Sequence, residues 1–337
     1  VKEAEARVRE ALAVAVPRWY GEGARLASLT GPVQHSWSFQ FALEVTGEAG
    51  LRRLVVKIPR WEEAPDLGAA LAAGPQEATR GEYAALEAVA AAVAASGDPG
   101  LAAVVPVAYL EPLNAIVTER LDAAPLGRSL GLMPGGEGRR AAWLHAAGRW
   151  LRLYHRQVAG ARPGPLDVSS LAFDLERAVD GLPRRPRALA DAVGALSRRL
   201  AAVQGVEVTL VRTHGDFNLA NLLVTGDGRV AVLDPNLVPG PALADLARLL
   251  TDLRTRRIRS LTLGRVGGRG LEAAEQAFLE GYGAADLALL PLLRAVATAR
   301  RWVEMEQNLT GAGTWRRVAA WMAGRYLAAE VARLADG

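Results

Sequence analysis

Residues 213–236 read THGDFNLANLLVTGDGRVAVLDPN, and three of the five asparagines of the chain fall inside this stretch. Asp216 and Asn221 stand five apart in a polar string bounded by two apolar runs, so they belong to a loop presented by strands. Asp234 follows the next pair of apolar runs. Two carboxylates and an amide at the mouths of neighbouring short strands can converge on one Mg²⁺, a hard cation that takes oxygen ligands and shares them with phosphates. A loop of this kind can also be a turn capped by its own Asp and Asn side chains.

The second chemical signal is a lysine. Among 337 residues there are 40 basic side chains, and only Lys2 and Lys57 are lysine. High-GC coding accounts for the excess of Arg, Ala, Gly and Pro. Against that background Lys57 marks an interior position where a compact ammonium was kept and a guanidinium fork was not. The net charge of +4 is carried by arginines dispersed among Glu and Asp. With no aromatic-interleaved basic stripe, nucleic-acid binding is not expected.

Absence of cysteine excludes disulfides, thiolate nucleophiles and Cys-based zinc sites, and the four histidines show neither HxxxH nor HExxH spacing. No run of about 18 uncharged apolar residues occurs, so the expectation is a soluble, cytoplasmic protein without a membrane span or secretory signal.

Elements must hold these groups. Val8, Leu12, Ala15, Val16 and Trp19 have helical spacing. Gly31 and Pro32 mark a loop entering a hairpin whose strands, 37–45 and 52–58, flank the turn TGEAG and place Lys57 at the end of the second strand. Tyr83, Leu86, Ala90 and Val93 predict an Ala-rich helix over 76–95, with Glu82 between Glu77 and Glu87. The runs 103–110 and 114–121 read as strands, and composition shifts at 122–125. Beyond it 139–158, 167–180, 187–204, 242–257, 271–283 and 287–335, broken near 311–314, read as helices. A short β insert over 206–233 interrupts them and contains a second hairpin turn, TGDGR. The fold class expected is α+β and bilobal, with a β-rich lobe over 1–121 and a mostly helical lobe over 122–337.

HGDxxxxN followed by an apolar hairpin ending in Asp resembles the aminoglycoside phosphotransferase and choline kinase-like families, relatives of the protein kinases, whose catalytic loop reads HRDxxxxN. By motif order the resemblance runs from about residue 31 to 250. It implies a protein-kinase-like fold, an N-terminal nucleotide-binding lobe, a C-terminal catalytic and substrate-binding lobe, and ATP (or GTP) with Mg²⁺ as cofactors. Asp216 then matches the catalytic base, Asn221 and Asp234 the metal ligands, and His214 a residue that holds the loop by hydrogen bonding. VVKI puts Lys57 where a lysine contacts the α- and β-phosphates, and Glu82 matches its glutamate partner. GxGxxG is absent. GPVQHSWS (31–38), with Ser36 and Ser38, is more like the shorter phosphate-covering loops of antibiotic kinases. In IVTERL the backbones of Glu119 and Leu121 would meet the adenine edge.

Only ten residues separate Asp234 from Asp245, which leaves no room for an activation segment, and no APE motif follows. The resemblance therefore implies a small hydroxylated acceptor: an aminoglycoside-type antibiotic, an amino sugar or a sugar-like metabolite. Asp245 opens the next helix as a structural or substrate-side carboxylate, and Asn218, Trp302, Glu304 and Glu306 are further acceptor-side candidates. Trp302 reads equally as core. Glu272, Glu275, Glu280, Glu304 and Glu306 are available for an acidic cleft around a polycation. TDLRTRRIRS (251–260) instead offers four arginines to a phosphate- or carboxylate-bearing acceptor, or is a solvated helix end.

Pro235 and Asn236 depart from the aromatic and acid that many relatives carry. GRVGGRG (264–270) has no strand feeding it and reads as a loop. His35 reads as a turn residue, and His145 and His155, out of phase on one helix, are expected to have no chemical role. A monomer or homodimer is expected. The competing class is a regulatory pseudokinase, opposed by the intact Lys, Asp, Asn and Asp.

Overall fold

Phe39, Phe41, Leu43 and Val45 alternate along one segment and Leu54, Val56 and Ile58 along another, so both strands put their apolar side chains on one face and Lys57 on the other. The computed structural model describes residues 2–60, 64–74, 76–129, 136–235, 237–256, 262–263, 270–283, 286–309 and 313–336. It divides into two compact units, Val1–Ala123 and Ala124–Gly337.

The first unit begins with helix α1 (Lys2–Tyr20) and strands β1 (Arg25–Gln34), β2 (Ser38–Gly47) and β3 (Gly50–Pro59). Helices α2 (Leu67–Ala72) and α3 (Glu77–Ser96) follow, then β4 (Pro106–Leu110) and β5 (Ala115–Glu119). The strands form one antiparallel sheet in the order β1-β2-β3-β5-β4. Val8, Leu12 and Val16 of α1 and Leu67, Ala70 and Leu71 of α2 close the apolar face. Gly31 and Pro32 do not form the expected loop. They lie inside β1, at a register shift between Thr30 and Val33, and the loop shrinks to His35, Ser36 and Trp37. Gly31 sits at φ 123, where an added Cβ would stand 2.8 Å from the carbonyl of Gln40, so only glycine fits the bulge.

The second unit follows β6 (Ala123–Pro125), the strand at the unit boundary, and opens with α4 (Leu126–Ser129) and α5 (Glu137–Leu153). Helix α5 runs into a π-helical turn, Tyr154–Val158. Next come β7 (Arg162–Pro165), α6 (Ser169–Asp180), α7 (Arg187–Ala201) and β8 (Glu207–Thr213). Then follow β9 (Leu222–Thr225), β10 (Val230–Val232), β11 (Val238–Pro241) and helices α8 (Leu243–Arg254), α9 (Leu271–Tyr282), α10 (Leu290–Gln307) and α11 (Thr314–Asp336).

Two small sheets, β10-β9-β6 and β11-β8-β7, hold the chain around residue 216. Strands β7 and β11 read RPGP and VPGP, which look like turns. Both flank β8 as edge strands, the positions where a residue without an N–H is tolerated. A core of Leu189, Val193, Leu196, Ala295, Val296, Ala299, Tyr326 and Leu327 joins α7, α10 and α11.

Helices α5 and α9 cross at two glycines. A Cβ on Gly148 would lie 2.2 Å from the carbonyl oxygen of Phe278, and one on Gly281 would lie 2.0 Å from that of His145. In a helix interior Gly→Ala ordinarily stabilises by roughly 0.5–1 kcal/mol. Here the sign reverses, because the neighbour is rigid backbone. Gly281→Ala is expected to destabilise by about 1–3 kcal/mol in urea unfolding, and a stabilised variant would refute the close crossing.

Candidate active site

The first unit contributes a part-buried ion pair. Lys57 Nζ donates to Glu82 Oε1 at 2.7 Å, both side chains about one-fifth exposed. Glu77 and Glu87 are exposed and lie elsewhere on α3. Buried Asn114 sets the register that selects Glu82. Held at φ 47 in the β4–β5 turn, its Oδ1 accepts from the N–H of Gln76, the N-cap of α3, at 3.0 Å and from Tyr109 Oη at 2.9 Å. An asparagine tolerates this left-handed backbone better than a branched residue would.

Around the short loop, Arg60 Nη1 donates to the carbonyls of His35 and Ser36, both at 3.1 Å, and the Arg60 N–H donates to Trp37 O. Ser36 is exposed, but Ser38 is buried at the start of β2, so its hydroxyl does not face a ligand as the sequence suggested. Glu119 ends β5 with its N–H on the carbonyl of Val105, and its side chain meets Arg52 at 3.4 Å. Its N–H is thereby taken, and Leu121 follows beyond the strand.

In the second unit the loop 214–221 is pinned along one face of α8. Asp245, Arg248 and Asp252 recur at i, i+3 and i+7, a spacing that aligns side chains on a helix. Asp245 Oδ2 accepts the His214 N–H at 2.7 Å and Oδ1 the Gly215 N–H at 2.9 Å. Arg248 Nη2 donates to Asp216 Oδ1 at 3.2 Å, and Asp252 Oδ2 accepts the Leu219 N–H at 2.9 Å. Asp216 is further held by Asn218 Nδ2 on Oδ1 at 2.7 Å and by Asn221 Nδ2 on Oδ2 at 2.8 Å. The loop thus presents one partly exposed carboxylate in a fixed orientation.

Several expectations change here. Asp245 is 1% exposed and is a structural carboxylate, not a substrate contact. His155, read as having no role, is buried and holds it: Nε2 meets Asp245 Oδ2 and Nδ1 meets Tyr282 Oη, each at 2.9 Å. A carboxylate can only accept, so Nε2–H donates to Asp245. Burial, and then Asp245, push the Tyr282 hydroxyl up to about 12, so it stays protonated.

His214 is fully buried, with its ring near the backbone of Leu233. It is packed among Trp150, Tyr154 and Phe217. Burial lowers its pKa below the ordinary 6.5, outweighing the opposing pull of Asp245 and Asp216, so the ring is neutral. Its backbone N–H is anchored by Asp245.

Trp302 is core, 3% exposed, with Nε1 on Glu306 Oε1 at 3.2 Å, and does not stack a ligand. Burial raises the pKa of Glu306, against the Trp302 hydrogen bond. Glu275 is clamped by Arg254 at 2.7 Å and Arg294 at 2.8 Å, which removes it from any acidic cleft and Arg254 from anion binding. Arg256 donates to Gly127 O. Asn236, residues 257–260 of the arginine run and most of GRVGGRG lie outside the described residues.

The oxygen donors fit a cation such as Mg²⁺. Because Asn221 Nδ2 donates to Asp216 O and Oδ2, its Oδ1 is turned away as an acceptor. Asp234, at φ 56, leads out of the β9–β10 hairpin with a half-buried carboxylate. Among the described residues no group of three or more His, Cys, Asp and Glu is arranged to hold a metal. Two protein oxygens suit an ion that takes its remaining ligands from water and phosphate.

The profile of the phosphotransferase enzyme family, APH, matches residues 30–321. The chain belongs to that family. Among solved structures the family fold recurs in a Ralstonia eutropha protein assigned provisionally as an aminoglycoside phosphotransferase (15% identity, 97% of this chain and 98% of the other, TM-score 0.65). It recurs in a choline/ethanolamine kinase family protein from Mesorhizobium loti (18%, 99% and 100%, TM-score 0.54) and in choline kinase from Streptococcus pneumoniae (13%, 97% and 99%, TM-score 0.55). At these identities the likeness speaks for the kinase-like fold. No curated protein matches the sequence. Among the described residues no helix is long and apolar enough to cross a membrane.

Arg248 and Asp252 are site residues that the motif alone did not reveal. Their signal was a run of charged residues three and four apart on α8, directly after the loop.

Proposed function

We propose that this family member transfers the γ-phosphate of ATP to a hydroxyl of a small molecule, with the first unit as its nucleotide-binding lobe and the second as its catalytic lobe. The observation that carries the reading is Asp216, a partly exposed carboxylate fixed by Asn218, Asn221 and Arg248 on a loop that a buried Asp245 anchors. In this reading Asp216 orients the acceptor hydroxyl and takes its proton. Asn221 Oδ1 and Asp234 would hold Mg²⁺, which supplies charge neutralisation on the phosphates. Lys57, steadied by Glu82, would contact the α- and β-phosphates, and the carbonyl of Glu119 and N–H of Leu121 the adenine edge.

The test is phosphate transfer from ATP, with Mg²⁺, across hexoses, amino sugars, aminoglycosides and choline. Wild type should phosphorylate at least one class. Lys57→Arg should lower kcat/KM about 10²-fold or more despite its retained charge, since a fork cannot replace a point donor between a carboxylate and two phosphates. Equal activity in the arginine variant would remove Lys57 from the proposal.

A further inference from the structure

Glu304, on α10, gathers cations beside Asp216. Its Oε1 accepts from Arg248 Nη1 at 3.3 Å and its Oε2 from Arg301 Nη1 at 3.2 Å. Arg248 is therefore tied at both ends, to Glu304 and to Asp216 at 3.2 Å. Arg300 stands one turn before Glu304 on the same helix, a spacing that stacks the two side chains on one face. It is half-buried, and among the described residues it has no hydrogen-bond or ion-pair partner. Asp174 of α6 attracts it from beyond ion-pair distance, Glu304 does so too, and Arg248 repels it.

A guanidinium that has lost water without gaining a partner is costly. Burial first, and then Arg248, lower its pKa. An arginine fork in that condition matches a carboxylate or phosphate bidentately. The cleft-forming alternative is weakened by the same structure, because Glu275 and Glu304 are each held between two arginines.

We propose that Arg300, beside the tethered Arg248, is an anion-recognising subsite of the acceptor site, and that the acceptor carries a carboxylate or a phosphate as well as the hydroxyl it presents to Asp216. The inference rests on the phosphotransferase reading of Asp216 and narrows its substrate class away from polycations.

Two measurements separate the two ideas. In the first, the thermal stability of the intact, nucleotide-free protein is followed with inorganic phosphate, acetate or chloride at equal ionic strength. Phosphate or acetate should raise Tm over chloride in wild type, and the rise should shrink in Arg300→Gln. In the second, phosphate transfer from ATP is compared across gluconate, glucose 6-phosphate, glucose and glucosamine, which share a skeleton and differ in charge. Wild type should favour gluconate or glucose 6-phosphate over glucose and glucosamine, and whichever anion is preferred names the group. Arg300→Gln should reduce the anionic-to-neutral ratio of kcat/KM about 10- to 100-fold, the range of one lost charge-assisted bond.

Preference for glucose or glucosamine, or an unchanged ratio in Arg300→Gln, overturns the subsite while leaving the kinase reading intact. An Arg300-dependent shift in Tm without transfer to any acceptor keeps anion binding at Arg300 but removes the kinase reading, and with it the assignment of that anion to an acceptor. Absence of both the shift and the preference removes the subsite.

Discussion

Replacing Asp216 by Ala is expected to lower kcat about 10³-fold while nucleotide affinity changes little. General-base assistance contributes roughly 10²–10⁴ to a rate, and no other described carboxylate is held by the loop in the same way. Asn221 and Arg248 lose a partner in the variant, so some misplacement adds to the loss of the base. The check is steady-state turnover beside a direct titration of nucleotide. Asp216→Asn, which keeps the shape and its contact with Arg248 through one oxygen, should be almost as inactive. Turnover within about threefold of wild type in either variant would refute the base assignment.

The second large effect is expected at Asp245, which touches no substrate in this reading. Its two oxygens accept two backbone N–H groups and the His155 ring, all within 2.9 Å, and it is 1% exposed. Asparagine turns an amide N–H₂ toward one of those donors. Breaking a buried charged network by removing one partner costs about 3–5 kcal/mol, to be read from denaturant unfolding. A displacement of about 1 Å at a reacting group can cost roughly 10²-fold in rate, so the folded fraction should also lose turnover. Tyr282→Phe removes only the outermost hydrogen bond and should cost about 0.5–1.5 kcal/mol. Similar stability of Asp245→Asn and wild type would show that the loop is anchored elsewhere.

The α+β class and the order of most elements were legible because they follow from local periodicity: alternation in β2 and β3, helical spacing in α3, α5 and the helices after β11. The edge strands β7 and β11 were not, since RPGP and VPGP acquire their pairing only from β8. Part of the candidate site was legible for a related reason. His214, Asp216, Asn221 and Asp234 lie within one contiguous stretch, and Lys57 stood out against arginine. Choosing Glu82 over Glu77 and Glu87 depended on a helix register that Asn114 fixes through Gln76. His155 and Arg248 act through residues 90 and 32 positions away, which no local pattern records. Trp302 was ambiguous for the same reason, because only tertiary packing decides whether an indole is covered.

The scarcity of lysine that sets position 57 apart also makes the first unit unusually easy to follow by limited proteolysis. Within these 337 residues a lysine-specific endoprotease has two sites, and the internal one is the Lys57–Ile58 bond. That bond lies in β3, paired on one edge with β2 and on the other with β5, beside a fully buried Ile58. A strand in the middle of a sheet must detach before a protease can bind it. The cutting rate at this single bond therefore reports the opening of the five-stranded sheet, free of the competing cuts that obscure such measurements in lysine-rich proteins.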